Sequence, residues 1–502
     1  LAFIPSCLMV ATTTYLTTAV VSAPLLWVVP LGLYLLTFVL AFARRQVVPE
    51  WLLTIAAAGT MVLVVAANYS GNHVEGLVKF VLNLVCLFLV GWMVHRRLAA
   101  RRPGHEHLTG FYFTMSVGGV LGGLFAGLLA PVMFTRVLEY PIAIALAAAA
   151  AFPILSRRSW WDLAWAFLAV GVYLAAWKLS EVQHGLTFQQ KAATVWVPLC
   201  IFVILGVVRP IRFLGGMVVL VIVGLLYDAQ INRPIVQSRS YFGTLNVIDD
   251  NSLKRRSLVH GVTLPGVQSR DPDRKQKPSS YYAEEGPLGD VIRELPRPAD
   301  AHMAVVGCGV GTSTSYGQAG QSWTVYEIDP DIRDIAMGDP LFTYISHCPA
   351  KVTFAMGDAR IKLAETSEKY DLIILDAYSS DNIPMHLMTV ESFRLYMDRL
   401  TPHGVLAVHI SNRFLDLKQE VALISRELGL SQLHQFKVFP PRDPLLRFPS
   451  EWMTVARTPA DLEPLKNQGW IETVPDEKIR VWTDERSSIL DVLHKDWFQR
   501  MH

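Results

Sequence analysis

Up to about residue 228 the chain is a succession of long apolar runs joined by short polar links. A helix needs about 20 consecutive apolar residues to cross a hydrocarbon core. Runs approaching or exceeding that length occupy 23–42, 51–67, 77–94, 108–134, 141–155, 160–177, 193–208 and 211–227. So many in succession predict a multi-pass transmembrane domain, 1–228, of about seven to nine helices, rather than core helices of a soluble protein. The stretch 3–21 is ambiguous, because Thr12, Thr13, Thr14, Thr17 and Thr18 keep it polar throughout. It reads as a ninth helix or a re-entrant piece. Gly118, Gly119, Gly122, Gly123 and Gly127 crowd one segment. Small residues at that spacing predict close helix packing, with a substrate groove as the alternative.

Beyond 228 the rhythm changes. Residues 241–266 alternate apolar and polar positions around Asp249-Asp250-Asn251-Ser252, which predicts a small β-unit within a linker region, 229–284. Short apolar runs then recur at 303–306, 323–326, 352–355, 372–375 and 405–408, separated by helical stretches. That alternation predicts a doubly wound, mostly parallel α/β sheet over 285–502, a Rossmann-like domain with its ligand site beyond the carboxyl ends of the strands.

Charge sharpens the division. Residues 1–228 hold 14 basic and 7 acidic side chains, of 45 and 43 in the whole chain. The remainder is therefore net acidic, which excludes a basic nucleic-acid-binding surface. Lys79, Glu139 and Asp162 sit near the ends of apolar runs, which argues against ion-coupled transport. The five cysteines show neither disulfide nor metal-ligand spacing. The chain starts with Leu, apolar at once and without the charged lead of a signal peptide, so further helices are expected upstream. Arg44/Arg45, Arg96/Arg97/Arg101/Arg102, Arg157/Arg158 and Arg209/Arg212 fall in alternate loops, which the positive-inside rule places in the cytoplasm. A further crossing by 211–227 would put the C-terminal domain outside. The conflict disappears if one segment does not cross, and the soluble domain is expected to be cytoplasmic.

Four motifs fall at the predicted strand ends. Val305-Val306-Gly307-Cys308-Gly309-Val310-Gly311 is a strand entering a Gly-rich turn, where backbone can approach a ligand closely. Glu327 ends the next strand, placed to accept hydrogen bonds from ribose hydroxyls. Both features suit a nicotinamide cofactor or S-adenosylmethionine. Gly357-Asp358-Ala359 follows the third strand, where a carboxylate and backbone N–H groups can meet an adenine ring. Asp376 ends the fourth strand, with Asp381 five residues later. Asp381 alternatively reads as a helix cap.

Taken in order, Gln268, Tyr281-Tyr282-Ala283-Glu284, the Gly-rich turn, Glu327, Gly357-Asp358 and Asp376 resemble the spermidine synthase (polyamine aminopropyltransferase) family. More narrowly, the chain resembles bacterial fusions of a major-facilitator-like membrane region with a spermidine synthase-like domain. Ala2-Phe3-Ile4-Pro5-Ser6, Pro24-Leu25-Leu26-Trp27, 376–386 and His409-Ile410-Ser411-Asn412-Arg413 carry that likeness. The resemblance implies a bacterial inner-membrane location and a co-substrate that is S-adenosylmethionine or its decarboxylated form. It implies that Gln268 and Tyr282 line the donor site and that Gly307, Gly309 and Gly311 pass its methionine-derived part. Glu327 would hold the ribose, Asp358 and Ala359 the adenine, and Asp376 would be the catalytic acid. Tyr378, Asp381 and His386 are the candidate substrate contacts.

The expected reaction is aminopropyl-type transfer to an amine with release of methylthioadenosine. An alkylammonium ionises near pH 10.4, so a carboxylate must position the cation and take its proton. The sulfonium supplies its own leaving group, so no metal is called for. Three departures from the family pattern stand out. Val310 occupies the place of the acid that holds the donor's amine, Ala283 replaces a histidine, and Asp376 and Asp381 are five apart rather than three. These leave open an intramolecular cleavage of S-adenosylmethionine to a lactone, a methyl transfer, or a sensor or transporter without turnover. His409, Asn412 and Arg413 lie near the expected reaction edge, and Arg270, Arg274, Lys275 and Lys277 form a basic run before the donor site. That run reads as a solvated loop or a lipid-headgroup contact. Expected partners are the lipid bilayer and a small-molecule amine or other acceptor, with homo-oligomerisation left open.

Overall fold

In the computed structural model, residues 1–20, 25–46, 48–71, 74–150, 160–183, 185–261, 263–377, 384–412, 414–476 and 478–494 are described. The chain divides into two compact units that meet in sequence at Arg233/Pro234.

The first unit is helical: α1 (Phe3–Ala19), α2 (Val28–Ala41), α3 (Glu50–Tyr69), α4 (Gly76–Ala100), α5 (Leu108–Leu124), α6 (Ala130–Met133), α7 (Glu139–Ala150), α8 (Trp160–Val182), α9 (Phe188–Leu205) and α10 (Pro210–Asn232). A π-helical turn, Phe125–Leu129, joins α5 to α6. Among the described residues six helical segments are long and apolar enough to span a membrane. Two of the expected runs become shorter helices, α2 and α7, whose flanks at 21–24 and 151–159 lie outside the described residues. The threonine-rich stretch is the continuous helix α1, in which the hydroxyls of Thr13, Thr17 and Thr18 bond back to carbonyls of the preceding turn. Thr13 donates to Met9 O at 2.8 Å and Thr18 to Thr14 O at 2.7 Å. The glycines of α5 bring it against α1. A Cβ at Gly122 would overlap the Phe3 carbonyl oxygen, and Ser6 Oγ donates to Gly119 O at 2.7 Å. Lys79, Glu139 and Asp162, which sequence position suggested were peripheral, are buried. Arg212 donates to Asp162 at 2.8 Å, and Asn68 and Asn83 exchange amide hydrogen bonds of 3.1 Å.

The second unit holds two sheets. The smaller is antiparallel, in the order β1 (Val236–Ser240), β2 (Gly243–Asp250), β3 (Arg255–His260), β4 (Thr263–Ser269). It begins earlier than the alternating pattern suggested. The larger contains β5 (His302–Val306), β6 (Ser322–Glu327), β7 (Lys351–Met356), β8 (Tyr370–Leu375), β9 (Leu400–His409), β10 (Ser431–Lys437) and β11 (Ser450–Ala456). Its order is β10-β11-β9-β8-β5-β6-β7, parallel from β7 to β9 and antiparallel for the last two pairs. Helices α11 (Pro287–Glu294), α12 (Pro330–Met337), α13 (Ala359–Glu365), α14 (Val390–Arg399) and α15 (Leu417–Glu427) accompany it. The chain winds from β5 out to β7, then returns to the other side of β5 as β8. The strand order therefore reverses between β5 and β8, and a crevice opens at their carboxyl ends. Buried Trp323, Leu372, Ile374, Val405, Ala407 and Trp452 form one core layer. Leu245, Val247 and Leu258 of the small sheet pack with Val310, Val325 and Ile332 in a second.

One buried acid makes this unit sensitive to pH. Glu420 on α15 accepts the Trp482 N–H at 2.6 Å through Oε1, while its Oε2 has no hydrogen-bond partner among the described residues. Burial, opposed by that N–H and aided by Asp491, pushes its pKa up to about 8. In the unfolded chain a glutamate ionises near 4.3. Between those values the folded chain retains a proton that the unfolded chain has lost. The stability tied to this residue is thus complete below about pH 4.3 and declines as pH rises toward the folded value. Glu420→Gln removes that dependence. In parallel unfolding titrations the variant should gain on the wild type steadily from about pH 5 to 8; a gap that does not change with pH would refute the assignment.

Candidate active site

The parallel ladder carries three motif loops to one edge. Gly307 N donates to Tyr326 O, Gly357 N to Glu327 O and Asp376 N to Val306 O, each at 2.9 Å. Between the loops is a cleft lined by Gly307, Gly309, Glu327, Asp358, Ala359 and Asp376, with Leu264 and Pro265 of the small sheet opposite. Gly307 has φ +93°, and a Cβ there would overlap the Asp376 carbonyl oxygen. The glycine is needed because two backbones cross at contact distance.

Glu327 is buried, and its carboxylate ties the loops together. Oε2 accepts Cys308 N at 2.8 Å, and Oε1 accepts Ile328 N at 2.8 Å and Asp329 N at 2.9 Å. Burial raises its pKa above the ordinary glutamate value, against the pull of those three N–H donors. An ionised carboxylate has about four lone-pair sites. Three N–H groups therefore leave room for a hydroxyl donor from the cleft. Asp358 caps α13, with Oδ1 accepting Arg360 N at 2.9 Å and Ile361 N at 3.1 Å, and its Oδ2 meets His386 Nε2 at 2.9 Å. Arg360 donates to the His386 carbonyl at 3.0 Å and to Asp484 at 2.7 Å.

Asp376 sits almost out of solvent between two donors. The Tyr282 hydroxyl bonds Oδ2, and His409 Nδ1 lies 2.7 Å from Oδ1. Burial first, then the Asp376 charge, holds the Tyr282 phenol well above its ordinary pKa, so it remains a donor. His409 Nε2 is 2.8 Å from Ser411 Oγ, and the imidazole stacks on Trp452 at 4.6 Å and 20°.

Several expectations need correction. Gln268 does not line the cleft: it is buried, its amide spent on Thr343 (2.9 Å to Oγ1, 3.1 Å from N) and on Lys275 O at 2.9 Å. Gly311 also lies off the cleft, where a Cβ would meet Ile345. His386, expected as a substrate contact, lines the cleft and meets Asp358 there. Asn412 is spent on a turn, accepting Phe414 N and Leu415 N at 2.9 Å. Tyr378, Asp381 and Arg413 lie outside the described residues. His409, placed near the reaction edge by the sequence, lines the cleft, and so does Ser411, to which the sequence assigned no separate role. Leu375 pairs with Val408 across β8 and β9, so the next residues, Asp376 and His409, are brought together.

The fold and cleft define a Rossmann-like α/β domain with a ligand cleft at its switch point, following a multi-helix unit in the chain. The particular likeness is to polyamine aminopropyltransferases. A probable polyamine aminopropyl transferase of Bifidobacterium longum (strain NCC 2705) is 30% identical over 171 residues, 33% of this chain and 35% of that protein. The chain thus spans about a third of the length of that curated relative. A probable spermidine synthase of Corynebacterium glutamicum ATCC 13032 aligns in structure over 50% of this chain and 97% of its own, with 15% identity and TM-score 0.37. Spermidine synthase of Thermotoga maritima aligns over 53% and 87%, with 12% identity and TM-score 0.34. No family model matches the chain. The spermidine synthase-like resemblance carried by the motifs is found again in the curated relative.

Gly307→Ala combines a disfavoured backbone conformation with overlap against Asp376. It should cost about 2–5 kcal/mol, read as an earlier unfolding transition of the full chain in denaturant. A loss below about 0.5 kcal/mol would show that the crossing relaxes freely.

Proposed function

We propose that this protein is a membrane-bound enzyme that cleaves the sulfonium of S-adenosylmethionine or its decarboxylated form. It passes an aminopropyl-type group to an amine and releases methylthioadenosine. The observation carrying this reading is the Asp376 carboxylate, held by Tyr282 and His409 beside the Gly-rich turn and Glu327. The 30% identity to a protein described as a probable polyamine aminopropyl transferase supports it. We place the soluble unit on the cytosolic side of a bacterial inner membrane, where this co-substrate is made.

When bound, the co-substrate supplies an activated carbon next to a positive sulfur and a neutral thioether leaving group. In this reading Glu327 takes a ribose hydroxyl on its remaining lone-pair site. Asp358, oriented by His386 and the first turn of α13, meets the adenine together with the Ala359 backbone. Gly307 and Gly309 leave the passage toward Asp376 free of side chains. Asp376 attracts the cationic acceptor and aligns it, while Tyr282 prevents the carboxylate from rotating. Alignment of the two reactants supplies much of the acceleration such a site can offer.

A second reading is favoured by Val310, which is buried in the apolar layer against Gly266 and presents no charge to the cleft. A donor that need not be held through an amine fits that layer. S-adenosylmethionine could then close on itself, its carboxylate attacking the γ-carbon to give a lactone and methylthioadenosine.

Full-length protein in detergent, incubated with either donor with and without putrescine and followed by mass spectrometry, separates the readings. Amine-dependent methylthioadenosine supports transfer, and its release from S-adenosylmethionine alone supports cleavage. Asp376→Asn should slow transfer by about 10²–10⁴-fold, with methylthioadenosine binding unchanged in calorimetry. Binding without turnover of either donor by the wild type would leave a sensor or transporter in its place.

A further inference from the structure

The cleft contains a hydrogen-bonded chain that the transfer reading has not used beyond its first member: Asp376, His409 and Ser411. Its proton positions follow from the neighbours. Asp376 takes Tyr282 on one oxygen, and with the carboxylate acting as acceptor the ring nitrogen facing its other oxygen, Nδ1 at 2.7 Å, must be the donor. In a neutral imidazole Nε2 then carries the lone pair. Ser411 Oγ, 2.8 Å away, accepts the Glu451 N–H at 2.8 Å, and its nearest alternative acceptor, Glu451 O, is at 3.5 Å. Its hydroxyl proton is therefore directed to Nε2. A hydroxyl has two lone pairs; Glu451 N–H occupies one, and Ser411 lines the cleft, where the second can meet a ligand.

We propose that His409 is the proton acceptor of this site and Ser411 its relay. The acceptor is accordingly a nucleophile that must shed a proton, an ammonium or hydroxyl group. This deepens the transfer reading and rests on it. As the acceptor's N–H proton moves to Ser411 Oγ, the Ser411 proton moves to His409 Nε2. The freed nitrogen lone pair forms the N–C bond, the C–S bond breaks, and its electron pair neutralises the sulfonium. The imidazolium is held by Asp376 and later returns its proton to water. With Nδ1 turned to Asp376, the Nε2 lone pair is the base that the Ser411 hydroxyl faces. The arrangement is that of an acid–imidazole–hydroxyl triad, in which the acid orients the ring rather than taking the proton. Intramolecular closure by a donor carboxylate has no proton to remove, so the relay argues for a separate acceptor.

Other titratable groups near the ring are Tyr281, 5.3 Å away, and Tyr282. Glu451 on β11 turns its carboxylate to His434 at 2.7 Å. The test compares wild type, His409→Asn and Ser411→Ala in the putrescine assay as a function of pH. Asparagine preserves a donor toward Asp376 while removing Nε2. We expect H409N to lose about 100-fold or more and S411A about 10-fold, with unchanged methylthioadenosine affinity. The wild-type rate should carry a pH limb that H409N lacks. An H409N rate and pH profile like those of the wild type would overturn the relay. Nitrogen-15 NMR of the imidazole gives a readout independent of turnover: Nδ1–H with bare Nε2 supports the relay, and the opposite tautomer overturns it while leaving the transfer reading standing. A wild type that makes no methylthioadenosine overturns both.

Discussion

Two backbone segments pass within contact distance at the carboxyl edge of the large sheet, and the arrangement of the cleft depends on that crossing. At Gly307 the chain turns with φ +93° beneath the carbonyl of Asp376. Asp376 N–H in turn reaches back to Val306 O at 2.9 Å. The same register brings Glu327 under the turn, where its carboxylate collects Cys308 N and the N–H groups of its own loop. A buried carboxylate without such donors would be strongly disfavoured. Here it acts as the bolt between two loops. With the loops locked, Asp376 is fixed in height and direction, and Tyr282 and His409 need only close on it from the sides.

The parallel part of this architecture was legible because each strand is a short apolar run and each ends in a residue with no place in a core. Gly307, Glu327, Asp358 and Asp376 all read correctly as strand-end positions, since a doubly wound sheet sends every such residue to the same edge. Gln268 was not legible in this way. It lies near the end of an antiparallel strand, and its partners are Lys275 O nearby and Thr343, in a loop far along the chain. His386 lines the cleft, and its bond to Asp358 joins residues 28 apart in the chain that no local pattern pairs. His409 needed only the pairing of β8 with β9, which a list of separate motifs leaves out.

Helix lengths were less readable than strand positions, for a related reason. Mean hydropathy over a window detects apolar stretches but not where a chain bends out of helix. It also overlooks polar groups satisfied within the helix, as in α1, where threonine hydroxyls bond back to carbonyls of the preceding turn. Position within an apolar run proved a poor guide to burial. Asp162 is buried because Arg212, 50 residues away, donates to it at 2.8 Å. Burying a lone carboxylate is costly, and a paired one is tolerable. The separation in sequence hides the pair.

Val310 connects the small sheet to the chemistry. Its side chain fills the layer that Leu245, Val247 and Leu258 press against the Gly-rich turn, and a Cβ at Gly266 would collide with it. An acid at that position would have to lie in an apolar layer without a donor or push the small sheet away, and either change is unfavourable. The absence of a charge there is thus built into the packing rather than being a surface accident. In the proposed transfer, donor recognition at this end of the cleft would therefore rely on shape and on backbone groups. The acid left to orient a cationic acceptor there would be Asp376, held between Tyr282 and His409. On that proposal the site would favour a cationic nucleophile and be comparatively indifferent to the amine of the donor.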